Sequence, residues 1–408
     1  MIRTANAVAG AWPVAAPEAF WAGQVSEYPS FDYSMKDVLR AGEALAGKLI
    51  WTDETAPRIR EVFSIASNWR DSHAYPMRAM KNLVHGRIRR LKLSGGNTVA
   101  RLKHMPSIRR KLRDQPWKLN QIQDLAGCRA ILPNIEAVNA LVDSLRRTNR
   151  HTVYRENPYI TAPKPDGYRC HHVVFKFEGE GEEEVFDGRR VEIQVRTRLQ
   201  HSWATAVETV GLFRKENMKA GLGSPEWLRL FKLMSAEFAA EENCPEPEDA
   251  SGGDARIREI IELEKALNAA NTLDTLSLAV RYVDTYSRDP QSTADYFLIR
   301  YDSENRVVSV QTQYGAKLSV QSYDDAELDA YRAGPQKRAV LVEADNIESL
   351  QSAFPNYFGN VQLFKLRLKQ ITQGAAAVEY SLPPQQTVPK KPKEKSDLSW
   401  LRGYRRWK

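Results

Sequence analysis

The first group of residues suited to chemistry is a segment rich in Lys and Arg. Between Lys81 and Arg129 the chain has thirteen Lys and Arg residues but only two Asp. A solvated helix face is the usual explanation of such a charge run. This run, however, lies beside loops and a predicted buried strand, Arg129–Leu132, rather than in a tail. Because guanidinium and ammonium groups neutralise phosphoryl oxygens, the segment is suited to binding a polyphosphate.

Two carboxylates accompany this segment. Asp124 comes just before the predicted buried strand, and Glu192 lies in VEIQVRT, where apolar residues alternate with Glu192, Gln194 and Arg196. This period of two places the three polar side chains on one face of a strand. A solvent-facing strand would show the same pattern. Two carboxylates that converge near cationic side chains can also hold Mg²⁺ against nucleotide phosphates, so we predict that Asp124 and Glu192 share a Mg²⁺ site.

A turn and an aromatic residue lie between the two carboxylates. In PKPDG, a turn signal, Lys164 is followed at short distance by Tyr168, Arg169, His171 and His172. An aromatic ring among basic side chains is suited to stacking on a base and binding its phosphates. A core tyrosine with polar residues at a strand edge is the alternative. The spacing of the two histidines does not indicate a zinc site.

The surrounding pattern predicts the elements that position these residues. Helical periodicity begins after Ser34, a plausible N-cap, and a second helical stretch from Pro57 must be interrupted or restarted at Pro76. After Gly95 and Gly96 come a strand, an amphipathic helix, two strands joined by an acidic turn, and a long helix. This order predicts an α+β fold in which a mixed β-sheet is flanked by helices.

The chain is predicted to contain five segments. They are a flexible N-terminal lead-in (1–33), a catalytic domain with N-terminal helices (34–244), a linker rich in Pro, Gly and acidic residues (245–254), a smaller C-terminal α+β domain (255–373) and a flexible basic tail (374–408). Within the C-terminal domain we predict helices over 256–286. A hairpin around Asp302–Asn305, a strand in KRAVLVEAD and a helix in IESLQSAF follow.

The composition indicates a folded protein with anionic partners and argues against a four-cysteine zinc site and a membrane span. With 408 residues and 42% hydrophobic residues the chain can bury a sizeable core, and its net charge of +8 favours anionic partners. The three cysteines have no CxxC spacing, which excludes a four-cysteine zinc site and favours a reducing cytoplasm. No segment approaches the roughly 20 apolar residues of a membrane span. The apolar run over 7–20 is broken by Pro13 and Pro17, so we predict neither export nor membrane association.

Four motifs, taken together, resemble the synthetase domain of the RelA/SpoT family. ARLKHMPSIRRKL is similar to the family's ATP-binding segment, QDLAGCR to D-L-x-G-x-R, YITAPKPDGYRCHH to Y-I-x-x-P-K-x-N-G-Y-x-S-x-H, and VEIQVRT to E-x-Q-x-R-T. The motifs occur in the family's order over roughly residues 68–216. Asp166 stands in place of the usual Asn and Cys170 in place of the usual Ser; neither change is expected to remove the chemistry, but both can retune the acceptor loop. The resemblance implies a RelA/SpoT synthetase-like, nucleotidyltransferase-like fold.

The resemblance also implies an activity, namely transfer of pyrophosphate from ATP to a ribose 3′-hydroxyl of GDP or GTP. Mg²⁺ would be held by Asp124 and Glu192, and Glu192 would accept the proton of the 3′-hydroxyl. The implied ATP-binding residues are Arg101, Lys103, Ser107, Lys111 and Arg129. The implied acceptor-binding residues are Lys164, Tyr168, His172, Gln194 and Arg196. Such chemistry depends on positioning and charge neutralisation.

Other functions remain open. The acceptor can instead be the 3′ end of tRNA, which toxic small members of the family modify to stop translation. The C-terminal domain would then be a fused antitoxin or sensor that a protein trigger binds. The sequence contains no HD pair of the family's hydrolase domain, so a synthetase of this kind needs a brake. A non-catalytic nucleotide-binding regulator and RNA binding through the basic tail are further alternatives, but the two carboxylates favour catalysis.

Overall fold

The computed structural model describes residues 25–374, apart from 149, 215, 217, 219–220, 279–280, 285–295, 303, 306, 335, 345–349 and 352–360. Most of the predicted lead-in, the predicted tail beyond residue 374 and nearly all of the predicted helix in IESLQSAF lie outside the described residues. Residues 25–33 are packed on the rest of the protein. Tyr28 is buried with its ring centroid 5.1 Å from that of Tyr75, and Asn68 accepts a hydrogen bond from the Asp32 amide.

The first α-helices of the described part are α1 (Met35–Ala46), α2 (Ala56–Asp71) and α3 (Ala74–Arg90). The predicted start of α1 is confirmed. The Ser34 hydroxyl accepts a hydrogen bond from the Asp37 amide, and the Asp37 carboxylate accepts one from the Ser34 amide, which is a capping box. The predicted restart at Pro76 is also confirmed. Pro76 lies in the first turn of α3, where no intrahelical partner for its missing amide hydrogen is needed.

In the part of the chain that the structure describes, nine strands form one mixed sheet. They are β1 (Asn97–Leu102), β2 (Ala126–Leu132), β3 (Thr152–Pro158), β4 (His171–Lys176), β5 (Arg190–Thr197), β6 (Arg281–Asp284), β7 (Tyr296–Asp302), β8 (Val307–Gln313) and β9 (Lys337–Glu343). Their order across the sheet is β3-β4-β5-β2-β1-β9-β7-β8-β6. The β2–β5 and β6–β8 pairs are parallel and the others antiparallel. The predicted α+β class with a mixed sheet and flanking helices is confirmed.

Among the described residues, eight further α-helices cover this sheet or follow it. They are α4 (Met105–Asp114), α5 (Ile135–Arg146), α6 (Arg198–Arg214), α7 (Pro225–Glu241), α8 (Gly253–Leu267), α9 (Ala269–Leu278), α10 (Ala316–Ala333) and α11 (Gln362–Gln373). The prediction of helix over 256–286 is wrong at its end. Residues 281–284 form β6 because they pair in parallel with β8, and this pairing overrides local helical periodicity.

The C-terminal strands continue the sheet of the N-terminal part. β9 pairs with β1 through Ala100–Glu343 and Arg101–Val342. Tyr323 of α10 is buried in the same apolar cluster as Met80 of α3. β9 and α10 therefore share the first core, and the separate C-terminal domain over 255–373 stays a prediction. The boundaries of the predicted linker stay a prediction.

The helices that follow the predicted linker also pack on the N-terminal part. Phe364 of α11 lies in one apolar cluster with Trp203 of α6 and Phe231 of α7. The ring centroids of Phe231 and Phe364 are 5.7 Å apart. Leu273 of α9 is buried in the same cluster. Helices α6 and α7 thereby pack in one apolar cluster with helices beyond residue 254.

A buried charge cluster joins α2 to α10. The Arg70 guanidinium has no solvent exposure and contacts Asp71 at 2.9 Å, Asp324 at 2.5 Å and Glu327. Glu327 also accepts a hydrogen bond from the Met105 amide at 2.7 Å, which fixes the start of α4. Burial raises the pKa of the Asp71, Asp324 and Glu327 carboxyls. The cluster therefore depends on its single guanidinium.

Replacing Arg70 by Met is expected to lower the free energy of unfolding by about 3–5 kcal/mol, because carboxylates would stay buried without their cation. Chemical denaturation monitored by circular dichroism measures this loss. Arg40→Met is the matched control, since Arg40 pairs with Asp37 on the exposed surface of α1. Exposed pairs contribute little, so this variant should unfold close to the wild type. Equal effects of the two substitutions would contradict a structural role for the cluster.

Candidate active site

A small cavity opens between β1, β2 and β5. Six of the twelve residues predicted from the sequence line it: Arg101, Lys103, Asp124, Arg129, Glu192 and Gln194. Val99, Gly127 and Cys128 complete the lining. The two predicted metal-binding carboxylates thus face one space, as their positions in the sequence suggested.

Strand register explains this convergence. On β2, Gly127 is paired with Arg101 of β1 and with Glu192 of β5, while Arg129 is paired with Gln194. Residues two apart on a strand face the same side, so these side chains share one face of the sheet. A Cβ atom built at Gly127 would meet only the Glu192 carbonyl oxygen, at 3.8 Å. The glycine therefore leaves open the space between the Arg101 and Glu192 side chains.

Asp124 is held by two lysines. The Lys103 ammonium, which follows β1, lies 2.6 Å from one carboxylate oxygen, and the Lys111 ammonium of α4 lies 3.0 Å from the other. Burial alone would raise the pKa of the Asp124 carboxyl, but the two ammonium groups outweigh burial and hold the pKa well below its usual range. Asp124 is therefore ionised at neutral pH and lies among groups suited to binding phosphate.

Glu192 is held in a different way. Its carboxylate lies 3.0 Å from His172 Nδ1 and accepts a hydrogen bond of 2.7 Å from Gln194 Nε2. Burial favours a raised pKa for Glu192, but the neighbouring imidazole and its hydrogen bond outweigh burial and lower the pKa. The charge of Asp124 acts in the opposite direction, as expected for two carboxylates that face one cavity. The result is an ionised, oriented carboxylate.

The predicted acceptor residues lie beside Glu192. Tyr168 Oη is 2.8 Å from His172 Nε2, so Tyr168, His172 and Glu192 form a chain of hydrogen bonds. The Lys164 ammonium lies over the rings of Tyr159 and Tyr168, 4.5 and 5.1 Å from their centroids. Tyr168 is half-buried, with one side packed towards the α6–α7 cluster. It is neither a fully buried core residue nor a freely exposed ring.

Gly167 shapes the turn that presents Tyr168. Its φ of +93° lies in the region that favours glycine, and a Cβ there would come within 3.0 Å of the Ser235 Cβ. The Asp166 carboxylate, which replaces the family's usual Asn, accepts a hydrogen bond of 2.9 Å from the Tyr168 amide. This departure from the family pattern keeps the local turn, because either side chain offers an oxygen acceptor at that position.

Two of the predicted site residues, Arg196 and Ser107, lie away from the small cavity and from the residues around Glu192. Arg196 is buried, donates a hydrogen bond of 2.6 Å to His201 Nδ1 and lines neither cavity described here. Together with burial, its charge lowers the pKa of Arg129 to about 9. Ser107 faces a second, larger cavity, which Arg101 also lines. The Ser107 amide donates to His104 Nδ1 at 3.1 Å, and this cap at the start of α4 was not predicted.

The donor set fits Mg²⁺. Asp124 and Glu192 offer hard carboxylate oxygens in one cavity, together with cationic side chains for phosphate. Over the described part of the chain, no group of three or more His, Cys, Asp and Glu is arranged to hold a metal. Mg²⁺ is often bound by only one or two carboxylates plus substrate phosphates, whereas a structural zinc site needs four protein ligands. The arrangement therefore suits magnesium better than zinc.

Comparison with known proteins places the cavity in a family segment. Residues 100–217 match the profile described as "Region found in RelA / SpoT proteins". The resemblance predicted from the four motifs is thereby confirmed over this segment. β1 from Ala100 onward, β2, β4, β5 and α4 all lie within it, and all twelve predicted site residues come from the matched part of the chain.

Individual relatives are similar over part of their length. The chain is 31% identical over 146 residues to the GTP pyrophosphokinase YjbM of Bacillus subtilis, covering 34% of this chain and 64% of that protein. It is 28% identical over 121 residues to the GTP pyrophosphokinase of Escherichia coli K12, covering 30% of this chain and 15% of that protein. The crystal structure of the small alarmone synthetase 1 from Bacillus subtilis has 24% identity and a TM-score of 0.35, covering 42% of this chain and 87% of that one.

The helices were also compared with the requirements of a membrane span. None of those in the described part of the chain combines the length and the apolar character needed to cross a bilayer.

Proposed function

We propose that this protein is a pyrophosphokinase that transfers the β,γ-pyrophosphoryl group of ATP to the 3′-hydroxyl of GDP or GTP. The observation that carries the proposal is the convergence of Asp124 and Glu192 with Arg101 and Lys103 in one cavity of the segment that matches RelA/SpoT proteins. The relatives similar to this segment are named GTP pyrophosphokinases. A non-catalytic regulator would not need both carboxylates.

The reaction needs a base at the acceptor hydroxyl. Glu192 is ionised, and His172 and Gln194 fix its orientation, so it can accept the proton of the 3′-hydroxyl. The 3′-oxygen then forms a bond to the β-phosphorus of ATP, the bond from that phosphorus to the α,β-bridging oxygen breaks, and AMP leaves. In this proposal Arg101, Lys103, Lys111 and Arg129 bind the ATP phosphates. Mg²⁺ held by Asp124 and Glu192 would neutralise phosphoryl charge when bound.

The acceptor base is proposed to stack on Tyr168. Replacing Tyr168 by Ala should weaken acceptor binding by about 1–3 kcal/mol, because one base–aromatic contact is lost. Binding of ATP should stay unchanged, since the ATP residues lie on the other side of Glu192. Titration of each nucleotide into the variant measures both effects. Tyr154→Ala is the matched control, because Tyr154 is exposed on β3 away from the cavity. Equal acceptor affinity in the two variants would contradict the stacking.

The acceptor is tested directly by the labelled product. The protein is incubated with γ-³²P-ATP and, in separate reactions, GDP, GTP or bulk tRNA. Label transferred to a guanine nucleotide supports the proposal. Label transferred to tRNA alone would replace it by the toxin-like activity, and no transfer to any acceptor would contradict catalysis. A cytoplasmic location, a protein trigger and a restraining C-terminal part remain separate proposals that this assay leaves aside.

A further inference from the structure

The larger cavity lies beside the candidate active site and reaches the C-terminal part of the chain. It measures about 750 Å³ and lies among the end of α1, α4, α6 and the turn between α10 and β9. Arg101 lines both this cavity and the small one that holds Asp124 and Glu192. The two cavities therefore adjoin. Its volume falls within the range of about 300–1,000 Å³ that small-molecule sites occupy.

Cations dominate the walls of this cavity. The basic lining residues are Arg101, Arg109, Arg110, Arg113, Lys337 and Arg338, and the acidic ones are Glu208, Glu216 and Glu327. Two of the three acids are engaged elsewhere. Glu327 belongs to the buried Arg70 cluster, and Glu216 lies 2.9 Å from Arg214. Arg113 in turn pairs with Asp114 at 2.8 Å, and the lining as a whole carries more cationic than acidic side chains.

Arg338 stands in the same electrostatic environment as Arg101. Burial, followed by the charges of Arg101 and Arg338, holds the pKa of His104 well below its usual range. Burial and then the charge of Arg338 lower the pKa of Arg110. Cationic groups from two distant parts of the chain therefore act on each other across this space. Their mutual repulsion favours binding of an anion between them.

The sheet explains how Arg338 reaches this place. β9 lies next to β1, and its pairing of Val342 with Arg101 brings the strand against the element that carries the first ATP residue. Arg338 is near the start of β9, four residues before that pair, where the strand leaves the turn that follows α10. It is partly exposed, while Ala339 beside it is buried.

From these contacts we propose that Arg338 is a further binding residue for the donor ATP and contacts its polyphosphate beside Arg101, from the larger cavity that Arg101 shares with the candidate active site. The inference rests on the proposed function, and it adds a binding residue from outside the matched segment 100–217. A nucleoside triphosphate fits better than a free phosphate, because the cavity is large and its cations are spread along it. The C-terminal part then forms one wall of the donor site.

The test measures binding and turnover separately on the full-length chain. Affinity is measured for an ATP analogue with a methylene group between the α- and β-phosphorus atoms, which cannot transfer pyrophosphate. KM values are measured for ATP and for GDP. Arg338→Ala is expected to weaken analogue binding and raise the KM for ATP by about 10-fold to 100-fold, the effect of one charge-assisted hydrogen bond. The KM for GDP should stay unchanged. Arg338→Lys should regain part of the affinity.

Arg300→Ala is the matched control. Arg300 is an exposed residue of β7 in the same C-terminal part and donates a hydrogen bond to Gln311, away from the cavity. The control variant should bind the analogue like the wild type, and thermal unfolding of all variants should occur near the wild-type temperature.

The outcomes separate the two proposals. If the wild type binds the analogue and Arg338→Ala does not, the donor site stands even when no acceptor is found. If the wild type transfers pyrophosphate and Arg338→Ala binds the analogue equally well, the inference is overturned while the function holds. A variant that changes only the KM for GDP also overturns it.

Discussion

Replacing Glu192 by Gln is expected to lower the rate of pyrophosphate transfer by about two to four orders of magnitude, because the amide cannot accept the proton of the 3′-hydroxyl. The substitution keeps the size of the side chain. The side-chain amide introduced at position 192 can still form hydrogen bonds with Gln194 and His172, so the fold should persist. Binding of ATP should change much less than turnover, since the cationic residues proposed to bind its phosphates, Arg101, Lys103, Lys111 and Arg129, are unchanged.

The measurement is single-turnover transfer from γ-³²P-ATP, with ATP-analogue affinity determined on the same preparation. Glu156→Gln is the matched control. Glu156 is a partly exposed carboxylate on β3 that contacts His171 and Arg146, and it does not line the cavity. This variant should transfer pyrophosphate at nearly the wild-type rate. Undiminished transfer by Glu192→Gln would remove Glu192 as the base.

The sequence predicts most of this site because its signals are local. The alternation in VEIQVRT places Glu192 and Gln194 on one face, and the structure shows that face lining the cavity. The alternation does not predict that Arg196, the third polar residue of the motif, is buried and donates a hydrogen bond to His201. That difference depends on α6, which follows β5 directly and covers its end. Periodicity alone carries no information about such coverage.

Three strands, or their positions in the sheet, could not be predicted from the local sequence. β1 lies inside the cationic run, and the charged residues around it obscured a short strand whose central residues are buried. β3 is an edge strand with mostly exposed polar side chains and therefore lacks the usual alternation. The position of β9 beside β1 depends on contacts between residues about 240 positions apart. No local pattern encodes such pairing, and for this reason the sequence favoured a separate C-terminal domain.

Ending the chain at residue 245 is expected to abolish folding and transfer together. In the full chain β9 occupies the edge of β1, and its removal would leave the backbone groups of that edge unpaired. Arg70 would also lose two of its three carboxylate partners, and Phe231 would lose its contact with Phe364. Each of these losses falls on the core that supports the candidate active site.

A detachable brake predicts the opposite result. If residues 255–373 only restrained the synthetase, the chain of residues 1–245 would be folded, more active than the full chain and more toxic to growing cells. The measurements are soluble yield, cooperativity of thermal unfolding and transfer from γ-³²P-ATP.

Co-expression of residues 1–245 with residues 246–408 is the control. It tests whether the loss of folding in the shortened chain comes from the absence of the C-terminal elements. Strand β9 can then pair with β1 from a second chain, and we expect solubility and transfer to return. A folded and more active 1–245 chain would contradict the shared core and establish the brake. Restoration only by the second fragment would instead show that the C-terminal part builds the enzyme, as the pairing of β9 with β1 requires.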